Sequence, residues 1–196
     1  MLFVFPADAQ EVDARIQQVM SSPHALEKAQ IDGKKAAYFC ANCHGDTGNS
    51  AYDYIPNLAG QHPGYLLNQI RKFADGRRQD DFMSGMIKVM KDEERFNIAI
   101  YYSAQTVQPA AANESAQAAR GKEIFRSICA SCHGPQGHGS QNFARLAGQH
   151  ARYVSESLDK YRKGTKERND PVMGSVARRL SDSDIAALAA YIPTMK

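Results

Sequence analysis

The sequence lacks any apolar run close to the roughly 20 residues that a helix needs to cross a bilayer. The longest such run is Met1–Phe5. Only 14 glycines and 8 prolines occur among 196 residues, which excludes collagen-like and mucin-like chains. A net charge of +3 is too small to indicate binding to nucleic acid or to an acidic membrane. With 43% hydrophobic and 23% charged residues, the composition is that of a folded soluble protein of one domain or two small ones.

The first nine residues resemble the end of an export signal. A short apolar stretch leads to Ala7-Asp8-Ala9, which has the pattern of a signal-peptidase cleavage site. No basic segment precedes that stretch. We interpret residues 1–9 as a signal-peptide remnant, and this interpretation predicts an exported, periplasmic protein.

The chain contains two copies of one pattern. Three blocks recur in the same order: Phe39–Gly45 as Ile128–Gly134 at an offset of 89 residues, Leu58–His62 as Leu146–His150 at 88, and Asp80–Met83 as Asp170–Met173 at 90. A period near 90 is too long for a solenoid unit, which repeats every 20 to 50 or so residues. The repeat therefore predicts two tandem domains.

The stretch between the copies is small, polar and contains a proline, as linkers do. The predicted organisation is an N-terminal helical extension over 10–30, a first domain over 31–105, a linker over 106–115 and a second domain over 116–196. The extension is interpreted as either a docking element or packing at the domain edge. The second domain carries 13 basic and 7 acidic side chains, which could orient an acidic partner.

The apolar spacing predicts an all-α fold. Residues 11–20 have helical periodicity, and so do the stripes that begin at Tyr65 and at Tyr153. Ser181 and Asp184 form a capping-box pattern in front of the last apolar segment. The alternation that marks strands and hairpins is not found.

All four cysteines belong to two Cys-x-x-Cys-His motifs, the attachment signature of c-type haem. Two thiols on one helical turn can form thioethers with the two vinyl groups of one porphyrin, while the next residue directs its imidazole at the iron. The sequence therefore predicts two covalently attached haems c. The attachment residues are Cys40, Cys43, Cys129 and Cys132, and the proximal iron ligands are His44 and His133.

Three other uses of paired cysteines fit the sequence less well. A zinc site built from two such pairs normally leaves 15–20 or so residues between them, whereas Cys43 and Cys129 are 86 apart. A thioredoxin-like pair requires a βαβ context, which the pattern lacks. Structural disulfides need no following histidine, yet both copies have one.

The second axial ligand of each iron is predicted to be a methionine. Met83 follows His44 by 39 residues and Met173 follows His133 by 40, so the two occupy the same place in each copy. A thioether ligand closes the iron to small molecules and raises its potential. Met86 competes with Met83 in the first copy. His62, His150 and His138 are rival ligands, although capping or surface roles are favoured for them.

The chain resembles the dihaem cytochrome c4 family, which consists of tandem class I cytochrome c domains. The resemblance rests on both haem motifs, on the Leu-Ala-Gly-Gln blocks, on Gly76-Arg77-Arg78 before Met83, and on 169–173 with 180–182. It covers about 31–105 and 116–196. Two departures are Ala144, where Pro56 stands in the first copy, and Asp81-Phe82 before Met83, where the second copy has Pro171-Val172.

The resemblance implies periplasmic electron transfer, His/Met ligation of both irons and haems close enough to exchange electrons. We expect the carrier to serve a respiratory complex, a terminal oxidase or a periplasmic dehydrogenase, and to bind no nucleic acid. Peripheral membrane association stays open. The alternatives are an electron-accepting subunit of an oxidoreductase such as a thiosulfate dehydrogenase, a dihaem peroxidase-type enzyme, or a sensor with an open iron.

Overall fold

The computed structural model describes residues 7–111 and 113–196, with side chains from residue 10 onward. All regular elements of this part of the chain are helices, so the predicted all-α class is confirmed. Met1–Pro6 of the predicted signal remnant lie outside the described residues, and the predicted cleavage site falls within the first helix.

The helices form two similar sets, and we call α1–α6 the first half and α7–α11 the second half. In the first half they are α1 Ala7–Ser21, α2 Pro23–Ala36, α3 Tyr38–His44, α4 Pro63–Ala74, α5 Asp81–Lys88 and α6 Asp92–Ser103. In the second half they are α7 Ala116–Ile124, a π-helical turn over Phe125–Cys129, α8 Ala130–His133, α9 Ala151–Lys163, α10 Pro171–Ala177, α11 Asp182–Tyr191 and a final 3-10 turn over Ile192–Thr194.

In each half the first repeated helix crosses the last one at a glycine. A Cβ at Gly33 of α2 would overlap the carbonyl of Asn97 in α6, and a Cβ at Gly121 of α7 would overlap the carbonyl of Ala187 in α11. The absence of a side chain lets the two backbones approach closely. This crossing holds the start of each Cys-x-x-Cys-His segment against the core of its half.

Each half has its own small core. The first centres on residues such as Ile100 and Tyr102, and the second on residues such as Phe125 and Leu188, all at most 1% exposed. Domains of about 80 residues bury little apolar surface. A large apolar cofactor would add to the core of each half.

Helix α1 packs against the first half. Ile16 is 1% exposed within its core, and the Arg15 guanidinium lies 3.8 Å from the centroid of the Phe96 ring while pairing with Glu93. Of the two predicted roles of the extension, packing is thus the one that the described contacts support. Helix α2 runs from Pro23 across residue 31, where the sequence pattern places the start of the first domain.

The two halves meet through the repeated Leu-Ala-Gly-Gln-His blocks. The Gln61 side chain accepts from the Arg145 amide (2.7 Å) and donates to the Arg145 carbonyl (3.0 Å). The Gln149 side chain makes the same two bonds with Asn57, at 2.9 and 3.0 Å. Since Asn57 and Arg145 occupy equivalent places in the repeat, the junction has approximate two-fold symmetry.

The histidines of the same blocks extend this symmetry. His62 Nε2 lies 2.9 Å from the carbonyl oxygen of His138, and His150 Nε2 lies 3.0 Å from that of Ser50. Both histidines stand at the N-terminus of a helix, yet neither side chain caps it. The expected capping role was therefore wrong for their side chains, because each imidazole instead bridges the two halves.

Candidate functional site

The first Cys-x-x-Cys-His motif forms most of α3. Cys40 and Cys43 are one helical turn apart, and His44 ends the helix before Gly45 turns the chain away. Both thiols are free and half-buried. Burial raises the pKa of Cys40, which keeps this thiol neutral at pH 7.

The second motif reaches the same arrangement by a different local structure. Cys129 ends the π-helical turn, and Cys132 and His133 lie on the short α8. These thiols are free as well, with Cys129 half-buried and Cys132 exposed. Burial raises the pKa of Cys129 to about 11. Each half thus presents two free thiols about one turn apart, as double thioether attachment requires.

The imidazoles of both motifs are fixed through Nδ1. His44 Nδ1 lies 2.9 Å from the Pro56 carbonyl oxygen, and His133 Nδ1 lies 2.8 Å from that of Ala144. A carbonyl only accepts, so Nδ1 carries the proton and Nε2 keeps its lone pair. The departure at Ala144, where the first copy has Pro56, leaves this bond intact, because the bond uses only a backbone oxygen.

Burial also keeps these imidazoles neutral. His44 is 6% exposed and His133 is 7% exposed, and desolvation lowers the pKa of both. The charge of Arg78 contributes to the lowered pKa of His44. A neutral imidazole with an available Nε2 is the form that ligates a metal.

The two predicted methionine ligands occupy equivalent positions in the two halves. Asp80 caps α5 by accepting from the Met83 amide at 2.9 Å, and Asp170 caps α10 by accepting from the Met173 amide at 3.1 Å. Each methionine is the third residue of its helix and is half-buried. Met86 lies one turn further along α5, where α10 has Val176.

The described residues fit a haem in each half. The thiol pair, the neutral imidazole and the buried surroundings come from one short segment of each half, as the attachment chemistry demands. The haem motif and its histidine could be identified from sequence because their spacing is local. The rival histidines do not share this arrangement, since His62, His150 and His138 each bond a backbone carbonyl through Nε2.

Sequence reasoning gave no role to two arginines of the repeat, Arg78 and Arg168. They precede Met83 and Met173 by five residues each and lie together between the halves. Their equal spacing from the methionines was the signal that could have identified them.

Within the part of the chain that the structure describes, no helix combines the length and the apolar character needed to span a membrane.

Comparison with known proteins agrees with this geometry. The family model of cytochrome c matches residues 29–103 and 118–196. Cytochrome c4 of Thiocapsa roseopersicina is 38% identical in an alignment of 176 residues that covers 83% of this chain and 90% of that protein. The thiosulfate dehydrogenase electron acceptor of Stutzerimonas stutzeri is 35% identical over 190 residues, covering 85% and 88% of the two chains. The crystal structure of reduced recombinant cytochrome c4 from Pseudomonas stutzeri superposes with a TM-score of 0.80 at 33% identity, covering 85% of this chain and 98% of that one.

Proposed function

Because the chain belongs to the cytochrome c4 family of dihaem cytochromes c, we propose that it carries electrons between protein partners in the periplasm through two His/Met-ligated irons. It is a dihaem electron-transfer protein with two cytochrome c domains, each binding one covalently attached haem c. Each haem supplies an iron that changes between the ferrous and ferric states by one electron.

The proposed attachment follows the two motifs. Cys40 and Cys43 hold the first haem as thioethers, and Cys129 and Cys132 hold the second. His44 and His133 ligate the irons through Nε2, because Nδ1 of each ring is bonded to a backbone carbonyl. That bond fixes the orientation of the ring and increases its basicity, so the ligand stays in place in both oxidation states.

Met83 and Met173 are the residues that would supply the second ligand of each iron. The single observation that carries this assignment is their identical placement, as third residue of an aspartate-capped helix in both halves. In the second half Met195 is the other methionine. It is 7% exposed and packs in the core of that half, which favours Met173 as the ligand. A closed iron passes electrons without binding substrate.

Optical spectroscopy of the purified holoprotein tests this ligation. The ferric protein should show the weak far-red band of iron bonded to a methionine sulfur, with an amplitude that accounts for two haems per chain. The reduced protein should not bind carbon monoxide. A high-spin ferric spectrum, or carbon monoxide binding at either haem, would contradict closed ligation and favour a peroxidase-type enzyme or a sensor.

A role as the electron-accepting partner of a thiosulfate dehydrogenase is the second proposal. It is favoured by the 35% identity to the Stutzerimonas stutzeri electron acceptor over most of both chains. The chain itself has no fifth cysteine beyond the two haem motifs, so it offers no cysteine as an iron ligand for that oxidation. The chain would accept electrons and leave the sulfur chemistry to its partner.

Rapid mixing with a purified thiosulfate dehydrogenase catalytic subunit distinguishes the two proposals. If the chain is its acceptor, thiosulfate should reduce both haems at a rate that saturates with subunit concentration. A monohaem cytochrome c at equal haem concentration is the comparison protein for the rate of reduction. Reduction no faster than that of the comparison protein would leave the general respiratory carrier as the function.

A further inference from the structure

In the first half, one peptide group connects the proximal imidazole to the opposite half. Its carbonyl, that of Pro56, accepts from His44 Nδ1 at 2.9 Å. Its N–H, that of Asn57, donates to Gln149 Oε1 of the second half at 2.9 Å. Gln149 Nε2 also donates to the Asn57 carbonyl at 3.0 Å, which fixes the side chain of the glutamine. The imidazole, the peptide group and the glutamine thus form a continuous chain of hydrogen bonds across the junction.

The second half has the same chain in the reverse direction. The Ala144 carbonyl accepts from His133 Nδ1 at 2.8 Å, and the N–H of that peptide group, which is the Arg145 amide, donates to Gln61 Oε1 of the first half at 2.7 Å. Gln61 Nε2 donates to the Arg145 carbonyl at 3.0 Å. Each glutamine is therefore linked to the histidine of the half to which it does not belong.

These chains of hydrogen bonds are shielded from water. Four side chains at their ends are at most 8% exposed: His44, His133, Gln61 and Gln149. In such surroundings a hydrogen bond is electrostatically stronger than in water, and successive bonds polarise one another. A peptide group whose N–H donates to a glutamine oxygen carries more negative charge on its carbonyl oxygen. That carbonyl is then a stronger acceptor for the imidazole.

The strength of the bond at Nδ1 affects the metal ligand. A stronger acceptor draws the Nδ1 proton away from the ring, which increases the basicity of Nε2. A more basic ligand stabilises the ferric state more than the ferrous state, because the ferric ion carries one more positive charge. Hydrogen bonds outside the ligand sphere are one of the ways in which a protein adjusts a haem potential.

We propose that Gln61 and Gln149 are positioning residues that act on the iron of the opposite half. Gln149 lowers the reduction potential of the first haem through His44, and Gln61 lowers that of the second haem through His133. The inference rests on these two histidines as iron ligands, and so on the proposed function. In consequence, each half sets part of the potential of the other.

NMR of the holoprotein during a redox titration tests the proposal. It resolves the two haems and, in the reduced diamagnetic protein, the Nδ1 protons of both histidines. Gln149→Leu removes the acceptor but keeps most of the side-chain volume. It should raise the potential of the first haem and move the His44 Nδ1 proton upfield, while the second haem and His133 stay close to the wild type. Gln61→Leu should give the opposite pattern.

The neighbouring histidines provide matched controls. His62→Leu and His150→Leu each remove one bond across the junction, to the carbonyls of His138 and Ser50. Neither carbonyl belongs to a peptide group that holds a proximal imidazole, so both potentials and both Nδ1 signals should stay close to those of the wild type. The far-red band of the wild type distinguishes failure of the proposed ligation from failure of this proposal, because the band does not depend on the glutamines.

Equal shifts at both haems, a shift at the haem of the glutamine's own half, or shifts no larger than those of the histidine variants would overturn the proposal. If the leucine variants do not yield holoprotein, Gln149→Glu and Gln61→Glu keep an acceptor of the same length beside the amide. An ionised carboxylate accepts more strongly than an amide oxygen. The Nδ1 proton of the opposite half should then move downfield, and the potential of that haem should not rise. Absence of the downfield shift, or a rise in that potential, would contradict the proposal.

Discussion

Backbone carbonyls orient the two imidazoles that are proposed to bind iron, and aspartate side chains position the two methionines. The Pro56 carbonyl and the Ala144 carbonyl hold the two imidazoles at nearly the same distance although their side chains differ. The Asp80 and Asp170 caps place the two methionines alike although the residues between cap and methionine differ. At the scale of single residues, the two sites share the oxygens that hold the proposed ligands, whereas the neighbouring side chains differ.

The choice between Met83 and Met86 can be tested directly. We expect Met83→Leu to remove about half of the far-red absorption, since it would leave one of two irons without its thioether, and to lower the potential of that haem. Met86→Leu, one turn away on the same helix, is the matched control and should keep the whole band. Loss of the band in Met86→Leu with retention in Met83→Leu would reverse the assignment.

Residue roles were predictable from sequence where the partners are close in the chain. The thiols and histidine of each motif lie within five residues, so their spacing alone indicates the chemistry. The bonds of Gln61 and Gln149 span 84 to 92 residues. No local pattern can indicate such partners, although the unchanged recurrence of their block marked it as important.

The helices explain why the repeat offsets differ. Gly33 and Gly121 are 88 residues apart, whereas Cys40 and Cys129 are 89 apart, so the second half has one additional residue between its helix crossing and its haem motif. In the second half this segment contains the π-helical turn Phe125–Cys129. A π turn absorbs one extra residue within a helix. The offset was visible in the sequence, but the structure that absorbs it was not.

The glycine crossings make a prediction for stability. Gly33→Ala should lower the free energy of unfolding by about 1–3 kcal/mol or more, because its Cβ would overlap the Asn97 carbonyl and force the helices apart. Thermal denaturation of the holoprotein measures the change.

The control for this prediction is Gly85→Ala, also within a helix but exposed and with no atom within 4 Å of its added Cβ. It should be neutral or should stabilise the protein by about 0.5–1 kcal/mol, through the lower flexibility of alanine in the unfolded chain. Equal destabilisation by both variants would mean that the crossing is not the reason.

Most helix positions were predictable because their signals are local. The stripe from Tyr65 lies in α4 and the Ser181 capping box opens α11, as expected. The contact of α1 with the first half depends on Ile16 and on Arg15 meeting Phe96, 81 residues further along the chain. The periodicity of α1 showed that it is a helix, but not which surface it covers.

At the scale of the whole molecule, we predict that loss of one glutamine weakens the junction between the halves on both sides. Gln149→Ala should expose the Asn57 amide, because it removes the bonds to both the amide and the carbonyl of Asn57, and should cost about 1–3 kcal/mol. Hydrogen exchange of the holoprotein should show faster exchange at Asn57 and at its neighbours across the junction.

Gln17→Ala, an exposed position on α1, is the matched control and should leave exchange at the junction unchanged. If Asn57 remains as protected in Gln149→Ala as in the wild type, then the two halves are held together by other contacts.

The symmetric junction has a consequence for how such a protein arises from a duplicated gene. Four of the side chains that reach across, Gln61, His62, Gln149 and His150, are the same in both copies, and all four bond main-chain atoms. The positions they contact have become Asn57 and Ser50 in one copy and Arg145 and His138 in the other. Because every residue provides main-chain atoms, a substitution at a contacted position leaves these bonds in place. The two copies can therefore diverge in charge and in surface chemistry while the halves stay associated.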